Sequence, residues 1–367
     1  MKKTIVINAT ALSEGGALTI LKQFLNEIPK DDFEYLVFVP ESLDFISPSE
    51  NVRQIPVAVK SFLKRIIWDL YGVNNWLRKK KINYVSTISL QNTNFRVDKQ
   101  VSNFVYYHQP TPLFHKNWNP FSARERRLWF YKNIYPYLVK AWIDSKTQFF
   151  VQLKFVKEAF IEAYGVDSEK IHVIEPLIET ISGKTKSEIE INQSKFNVFF
   201  PAAAFVYKNH EVILDALLLL NEDSRKQIVL HLTGCTAIDF EREVIKKIEK
   251  LNVILWGKIK YDDIIELYKK VDVMVFPSYI ETFGLPLTEA ASFGVPIIAA
   301  DLPYANEVLD GYKGVSFAIY NNPDIWKEKI LVSMNEKGKR HDLFIRKQGD
   351  SWDKMFEIVK ESVTSAI

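Results

Sequence analysis

Short apolar runs rich in β-branched and aromatic residues alternate with helical patterns from one end of the chain to the other. That alternation restricts the fold to the α/β class with mainly parallel sheets. In the first half, strands are predicted near 3–8, 34–39, 53–57, 83–89, 101–107 and 147–151, and helices near 17–28, 62–80, 122–142 and 153–164. In the second half, strands fall near 196–201, 227–232, 252–255, 272–276 and 296–299, with helices between them. Single cores rarely grow beyond about 250–300 residues, and this chain has 367, so two domains are expected. Residues 179–194, rich in Ser, Thr, Lys, Glu and Ile with one glycine, lack clear periodicity and are the expected linker. The terminal stretch 344–363 places Trp352, Met355, Phe356 and Val359 at helical spacing.

Composition narrows the function classes. The single cysteine, Cys235, excludes an intramolecular disulfide and a multi-cysteine zinc site, and reads as a core residue in a reducing compartment. No apolar run is long enough to span a bilayer, and the opening Met1-Lys2-Lys3-Thr4-Ile5-Val6-Ile7-Asn8 turns polar too soon for a signal peptide, so a cytoplasmic protein is expected. A net charge of +3 offers no argument for nucleic acid. The charge is uneven, however. Between Lys60 and Lys81 seven basic residues (Lys60, Lys64, Arg65, Arg78, Lys79, Lys80, Lys81) face one acid, Asp69, among Phe62, Leu63, Ile66, Ile67, Trp68, Tyr71 and Trp76. Two readings stay open for 60–81: a solvated helix face, or an amphipathic surface resting peripherally on the anionic inner face of a membrane. Lys116 to Arg127, with Trp118, Phe121, Trp129 and Tyr131, either lines an acceptor groove or fills core.

The segment 276–296 carries the clearest chemistry. Glu281 and Glu289 are separated by seven intervening residues across a Gly-Leu-Pro turn that follows a buried-strand pattern at 271–276. Pro286 suits the first turn of a helix, where its missing N–H costs nothing, which puts Glu281 in the loop and Glu289 in the first helical turn. A helix start behind a glycine offers backbone N–H groups and a positive dipole end to an anion, and a carboxylate accepts two hydrogen bonds from a vicinal diol. An acidic loop with a helix-capping glutamate is the alternative.

Other candidates sit at predicted strand ends. Gly15 and Gly16 form a turn entering a helix after the first strand, without the Gly-x-Gly-x-x-Gly fingerprint of a dinucleotide fold. His108 ends the strand pattern 101–107 ahead of a Pro-rich loop, where ligands of open α/β sheets bind. Lys208 and Asn209 lie between strand 196–201 and the next helix, and a lysine there can balance charge on a departing phosphate. Gly257 and Lys258 follow strand 252–255, and Gly257 permits close approach of a ligand. There is no Asp-x-Asp pair and no zinc-spaced His/Cys/Asp group.

Taken with Gly294-Val295-Pro296-Ile297-Ile298-Ala299, the 276–296 segment closely resembles the Glu-x7-Glu signature of the family 4 retaining glycosyltransferases, including bacterial surface-polysaccharide enzymes. The resemblance is most specific over 270–310. It implies a GT-B fold: two Rossmann-like domains facing across a cleft, with a C-terminal helix returning to the first domain. Residues 1–180, plus about 346–367, would be the acceptor-side domain, and 190–345 the nucleotide-sugar domain. It implies transfer, with retention, of a hexose-type sugar from a nucleotide diphosphate donor to a hydroxyl of an oligosaccharide or lipid-linked acceptor, in O-antigen or capsule synthesis. No cofactor or metal is implied beyond that co-substrate.

By the same resemblance Glu289 would hold the ribose diol. Glu281, with Thr282, Phe283, Gly284 and Leu285, would hold the donor sugar. Lys208, with Asn209, would meet the diphosphate, Gly15 and Gly16 would line the cleft near it, and Gly257 and Lys258 would flank the nucleobase. His108 would position groups at the reacting centre. One departure stands out: the family has an arginine about six residues before Lys208, where this chain has Pro201-Ala202-Ala203-Ala204. Two rival readings remain. One is a nucleotide-sugar epimerase or NAD-dependent oxidoreductase on a related fold, and the other a non-catalytic binding subunit.

Overall fold

Parallel strands covered by helices on both faces must be apolar on both faces, and the buried runs of this chain form strands on that rule. In the computed structural model, which describes residues 2–59, 61–96, 101–178 and 187–364, the chain divides into two units. These are Met1–Leu177 with Gln348–Ile367, and Ile178–Lys347. The first unit holds β1 (Lys3–Asn8), β2 (Phe33–Pro40), β3 (Val52–Val57), β4 (Ser86–Ser89), β5 (Ser102–Tyr107), β6 (Thr147–Val151) and β7 (Ile171–Val173). They form one sheet in the order β3-β2-β1-β4-β5-β6-β7, parallel at every pairing. The short edge strand β7 was not expected, because three residues are too few to show a period.

The second unit holds β8 (Phe196–Pro201), β9 (Ile228–Thr233), β10 (Val253–Gly257), β11 (Val273–Phe276), β12 (Ile297–Ala300) and β13 (Val315–Ala318). Their order is β10-β9-β8-β11-β12-β13, again all parallel. β13 was also unexpected; Val315, Ser316 and Phe317 are only half-buried, so its pattern is weak. Both units are thus Rossmann-like. Of the expected linker, residues 179–186 lie outside the described residues, as does Lys60 of the basic segment, and 187–194 form neither helix nor strand.

Two expected helices are interrupted. The run expected over 62–80 comprises Phe62–Ile67, a π-helical turn Trp68–Gly72, and Val73–Lys79. A Cβ on Gly72 would fall 2.3 Å from the Trp68 ring; the indole lies over the glycine, and the backbone widens there. The helix expected over 122–142 is Arg126–Asn133 followed by Tyr135–Lys140. Pro136, which lacks an N–H and crowds the carbonyl four residues back, accounts for the break.

The terminal helix, Trp352–Thr364, belongs to the first unit's core with Trp352, Met355, Phe356 and Val359 fully or nearly buried. Trp352 meets Phe24 edge-on at 5.8 Å and Tyr106 at 5.1 Å, and Phe356 meets Tyr35 at 5.7 Å. The chain enters this helix against Glu175, which accepts from the Gly349 amide at 3.0 Å; a Cβ on Gly349 would collide with that carboxylate.

The second unit buries two neutral histidines. His231 on β9 donates from Nε2 to Asn197 Oδ1 at 2.9 Å and accepts the Trp256 indole N–H on Nδ1 at 3.2 Å. His210 donates from Nε2 to the Ala202 carbonyl at 3.2 Å. Burial lowers both to about 4, with the Lys208 charge adding to the effect at His210. The unfolded imidazoles, near 6.5, therefore bind protons that the folded ones refuse, so stability falls as pH drops from about 6.5 to 4. At about 1.4 kcal/mol per pKa unit the loss reaches roughly 3 kcal/mol for each histidine by pH 4. Urea unfolding at pH 7 and pH 5 should show this loss; equal stability at both would mean the two imidazoles do not control it.

Candidate functional site

In the second sheet the strand order reverses between β8 and β11. Loops leaving such a pair diverge and open a crevice at the strand carboxyl ends. From β8 the chain passes through a 3-10 turn, Val206–Lys208, to Asn209 in the left-handed region (φ 63) and the helix His210–Leu218. From β11 it runs through 277–283 to Gly284 (φ 81) and the helix Leu285–Ser292.

Polar contacts join the two loops. The Tyr279 amide donates to the Tyr207 carbonyl at 2.9 Å, and Asn209 Nδ2 donates to Tyr320 O at 2.6 Å and Pro277 O at 3.3 Å. Lys208 Nζ meets Glu281 Oε1 at 2.5 Å, with the two side chains 18% and 14% exposed. The ammonium also lies 5.6 Å and 5.7 Å from the ring centroids of Tyr207 and Phe276. A cation and a carboxylate thus pair in largely dehydrated surroundings at the crevice, where charge acts strongly on whatever binds.

The helix that follows starts earlier than expected. Gly284 is the N-cap, Leu285 the first residue and Pro286 the second, so Glu289 sits in the second turn, not the first. The left-handed Gly284 fixes this start, its missing side chain leaving room for Tyr304 and Leu287. Glu289 accepts from Tyr261 Oη at 3.1 Å on Oε1 and from Tyr268 Oη at 3.0 Å on Oε2. Burial, and then the Glu289 charge, holds the Tyr268 hydroxyl well above its ordinary value, so it remains a donor. Sequence reasoning missed both tyrosines. The available signal was their spacing of seven on the helix Tyr261–Lys270, which places them on one face. In the same loop Thr282 is half-buried and Phe283 is buried beneath the Arg346 guanidinium at 5.6 Å.

Beside Glu289 a cavity of about 260 Å³ opens at the carboxyl ends of β8, β9 and β10. Pro201, Ala202, Ala203, Thr233, Gly234, Lys258, Ile259, Tyr261, Ile264 and Glu289 line it. Gly257 (φ 66) ends β10 in a register shift, and its carbonyl accepts from the Gly234 amide at 2.7 Å. Lys258 is exposed at the rim. The alanines before Lys208 thus form an apolar wall.

The remaining candidates lie in the first unit. Gly15 (φ 55) and Gly16 begin the helix Gly15–Glu27, and a Cβ at either meets nothing within 4 Å. His108, just past β5, donates from Nε2 to the Leu90 carbonyl at 2.9 Å, and its own amide donates to Asn92 Oδ1 at 2.6 Å. Burial lowers its pKa, so the ring is neutral with Nδ1 left as an acceptor.

Two all-parallel Rossmann-like units are the components of the GT-B fold, and the comparisons agree. The chain is similar over 97% of its length to WaaG, a glycosyltransferase involved in lipopolysaccharide biosynthesis (99% of that chain, TM-score 0.65, 16% identity). It is similarly close to Anabaena HepE, solved in complex with UDP-glucose (99% of each chain, TM-score 0.63, 16% identity). Residues 182–348 match the model of the family "Glycosyl transferases group 1". Among curated proteins it is similar to the O-antigen chain mannosyltransferase RfbU of Salmonella typhimurium, at 30% identity over 171 residues, 46% of this chain and 45% of RfbU. The chain thus spans about half the length of the curated relatives it matches.

A side chain at position 284 would be held in the left-handed region, with its Cβ 3.3–3.4 Å from Leu287 and Tyr304. Gly284→Ala should therefore destabilise the protein by about 1–2 kcal/mol. Urea unfolding reads this directly, and an unchanged midpoint would show that the loop re-forms without strain.

Proposed function

We propose that the protein is a retaining glycosyltransferase that moves a hexose-type sugar from a nucleotide diphosphate sugar to a hydroxyl of an oligosaccharide or lipid-linked acceptor. The observation that carries this reading is the Lys208–Glu281 pair at the β8/β11 crevice, next to a cavity with Glu289 at its edge. The cavity would take the base, Glu289 the ribose diol and Lys208 the diphosphate. Glu281 and the 282–285 backbone would take the sugar, with Asn209, Gly257 and Lys258 completing the donor site. The name of RfbU supports a hexose and a surface-polysaccharide pathway, and HepE, solved with UDP-glucose, supports a nucleotide-sugar donor.

In the proposed reaction the anomeric carbon–phosphate oxygen bond breaks and a bond to the acceptor oxygen forms on the same face. The acceptor proton passes to the departing phosphate. Rate comes from positioning and from fixed charge at the leaving group. Lys208 and the N-terminus of the helix Leu285–Ser292 meet that charge without a metal.

We also propose cytoplasmic action at the inner face of an anionic membrane. Along the 62–79 helical run Leu63, Ile67 and Tyr71 are 71%, 58% and 53% exposed at intervals of four. That apolar stripe stands among Lys64, Arg78, Lys79, Lys80 and Lys81. Among the described residues no helix is long and apolar enough to cross a membrane, so contact there would be peripheral.

Thermal shift against UDP, GDP, ADP, CDP and dTDP with their sugars, with and without EDTA, should single out one base with no effect of EDTA. Glu289→Ala should raise the donor KM strongly, and Lys208→Ala should lower kcat about 100-fold or more. Unchanged kinetics in both variants would sink the site assignment. Reversing the charges of Lys79, Lys80 and Lys81 should release the protein from anionic liposomes, at about 1 kcal/mol for each basic residue lost; persistent binding would count against membrane contact.

A further inference from the structure

The first sheet reverses its order between β1 and β4, and the crevice this opens holds a polar network that the donor site does not use. Asp69, on the π-helical turn, points its carboxylate at the two strand ends. Asn8 Nδ2, at the end of β1, donates to Asp69 Oδ1 at 2.8 Å, and Gln91 Nε2, just past β4, donates to the same oxygen at 2.7 Å. Thr10 donates to Asn8 Oδ1 and Gln91 Oε1 at 3.2 Å and 3.3 Å, and the Ala11 amide donates to Gln91 Oε1 at 3.1 Å. The Asp69 carbonyl accepts the Arg96 amide at 2.9 Å, which fixes the turn itself.

Three features set this carboxylate apart from a structural one. Among the described residues both hydrogen bonds converge on Oδ1, and Oδ2 has no partner. Asn8, Thr10 and Gln91 are buried, but Asp69 keeps part of its surface open to solvent. An asparagine could present its oxygen to the same two amides without the cost of burying a charge, so the network alone does not require an acid. A carboxylate whose Oδ1 is fixed by two amides and whose Oδ2 has no partner among the described residues can accept a further donor.

We propose that Asp69 is a sugar-binding residue: Oδ2 accepts the O–H of a neutral polyol seated in the β1/β4 crevice, with Asn8 and Gln91 as positioning residues for the carboxylate. This rests on the glycosyltransferase reading, for which it supplies a sugar contact in the first unit. Burial raises the Asp69 carboxyl to about 7, opposed by the hydrogen bonds from Asn8 and Gln91 and by the nearby Arg65 charge. The groups that face it are Arg65, on the helix Phe62–Ile67, and Tyr135, on the helix Tyr135–Lys140, whose hydroxyl burial holds well above its ordinary value. Asn8 and Gln91 do not ionise. The anion accepts a hydroxyl more strongly than the neutral acid does, so sugar binding strengthens as pH rises through 7.

The test is an NMR titration of the full chain with methyl α-mannoside, methyl α-glucoside and methyl α-galactoside at pH 6 and pH 8. At least one glycoside should bind at pH 8 and bind roughly tenfold more weakly at pH 6. Asp69→Asn should weaken binding at pH 8 by a similar factor and abolish the pH dependence. In the unmodified protein the bound glycoside should shift the Asp69 carboxyl titration to lower pH, read by carbon-13 shifts, which keeps the test decisive if Asp69→Asn fails to fold. Binding of no glycoside, a variant that matches the parent at both pH values, or a carboxyl titration that the sugar leaves unmoved would overturn the proposal. Nucleotide-sugar thermal shifts on the same samples separate the two ideas. If they vanish in the parent while glycoside binding persists, the donor reading fails and Asp69 stands; the reverse sinks Asp69 alone.

Discussion

Parallel pairing is the constraint on which the rest depends. All thirteen strands of the described residues pair in parallel, so each must be followed by a crossover that brings the chain back to the starting edge of its sheet. Every strand-to-helix turn of a unit therefore falls on one edge. One reversal of strand order in each sheet then separates two neighbouring turns and leaves a crevice. Lys208 and Glu281 meet because β8 and β11 are the strands on either side of that reversal, although 73 residues separate them in the chain. Asn8 and Gln91 approach Asp69 for the same reason in the first sheet.

The Lys208–Glu281 pair has its own electrostatic logic. Partly buried ion pairs gain little net stability, because desolvation offsets attraction. Its worth lies in holding the Lys208 ammonium in place beside the rings of Tyr207 and Phe276. A diphosphate arriving there would compete with Glu281 for the ammonium, and Glu281 would be released toward hydroxyl groups. With Pro201, Ala202 and Ala203 on the cavity wall in place of a second cation, that exchange would fall on Lys208 and the helix start behind Gly284.

The sequence was most legible where local chemistry and tertiary burial agree. Strands buried on both faces, such as β8, were readable to the residue, because a run like Phe196 to Pro201 has few other fates. Gly284 and Pro286 announced a helix start, but which one began the helix depended on the left-handed backbone at Gly284, which one-letter spacing does not encode; the second-turn position of Glu289 follows from that one residue. β7 and β13 were illegible because three or four residues, most of them only half-buried, carry no period. The π turn at Trp68 arises from a ring lying over Gly72, a contact between side chain and backbone that helical periodicity averages away.

In the sequence Asp69 is only the lone acid of a basic stretch, because its partners come from 61 residues before it and 22 after. In isolation the natural place for such an acid is solvent, among lysines. The π turn and two amides direct it into the crevice instead, at a desolvation cost that appears as a carboxyl raised to about 7. The two crevices consequently differ in character. One offers an ammonium and a helix start, which suit an anionic ligand, and the other offers a carboxylate and amides, which suit a neutral one rich in hydroxyl groups. A sugar nucleotide and a sugar acceptor differ in that same respect, so the division of charge between the two sheets is itself an argument for group transfer over nucleotide binding alone.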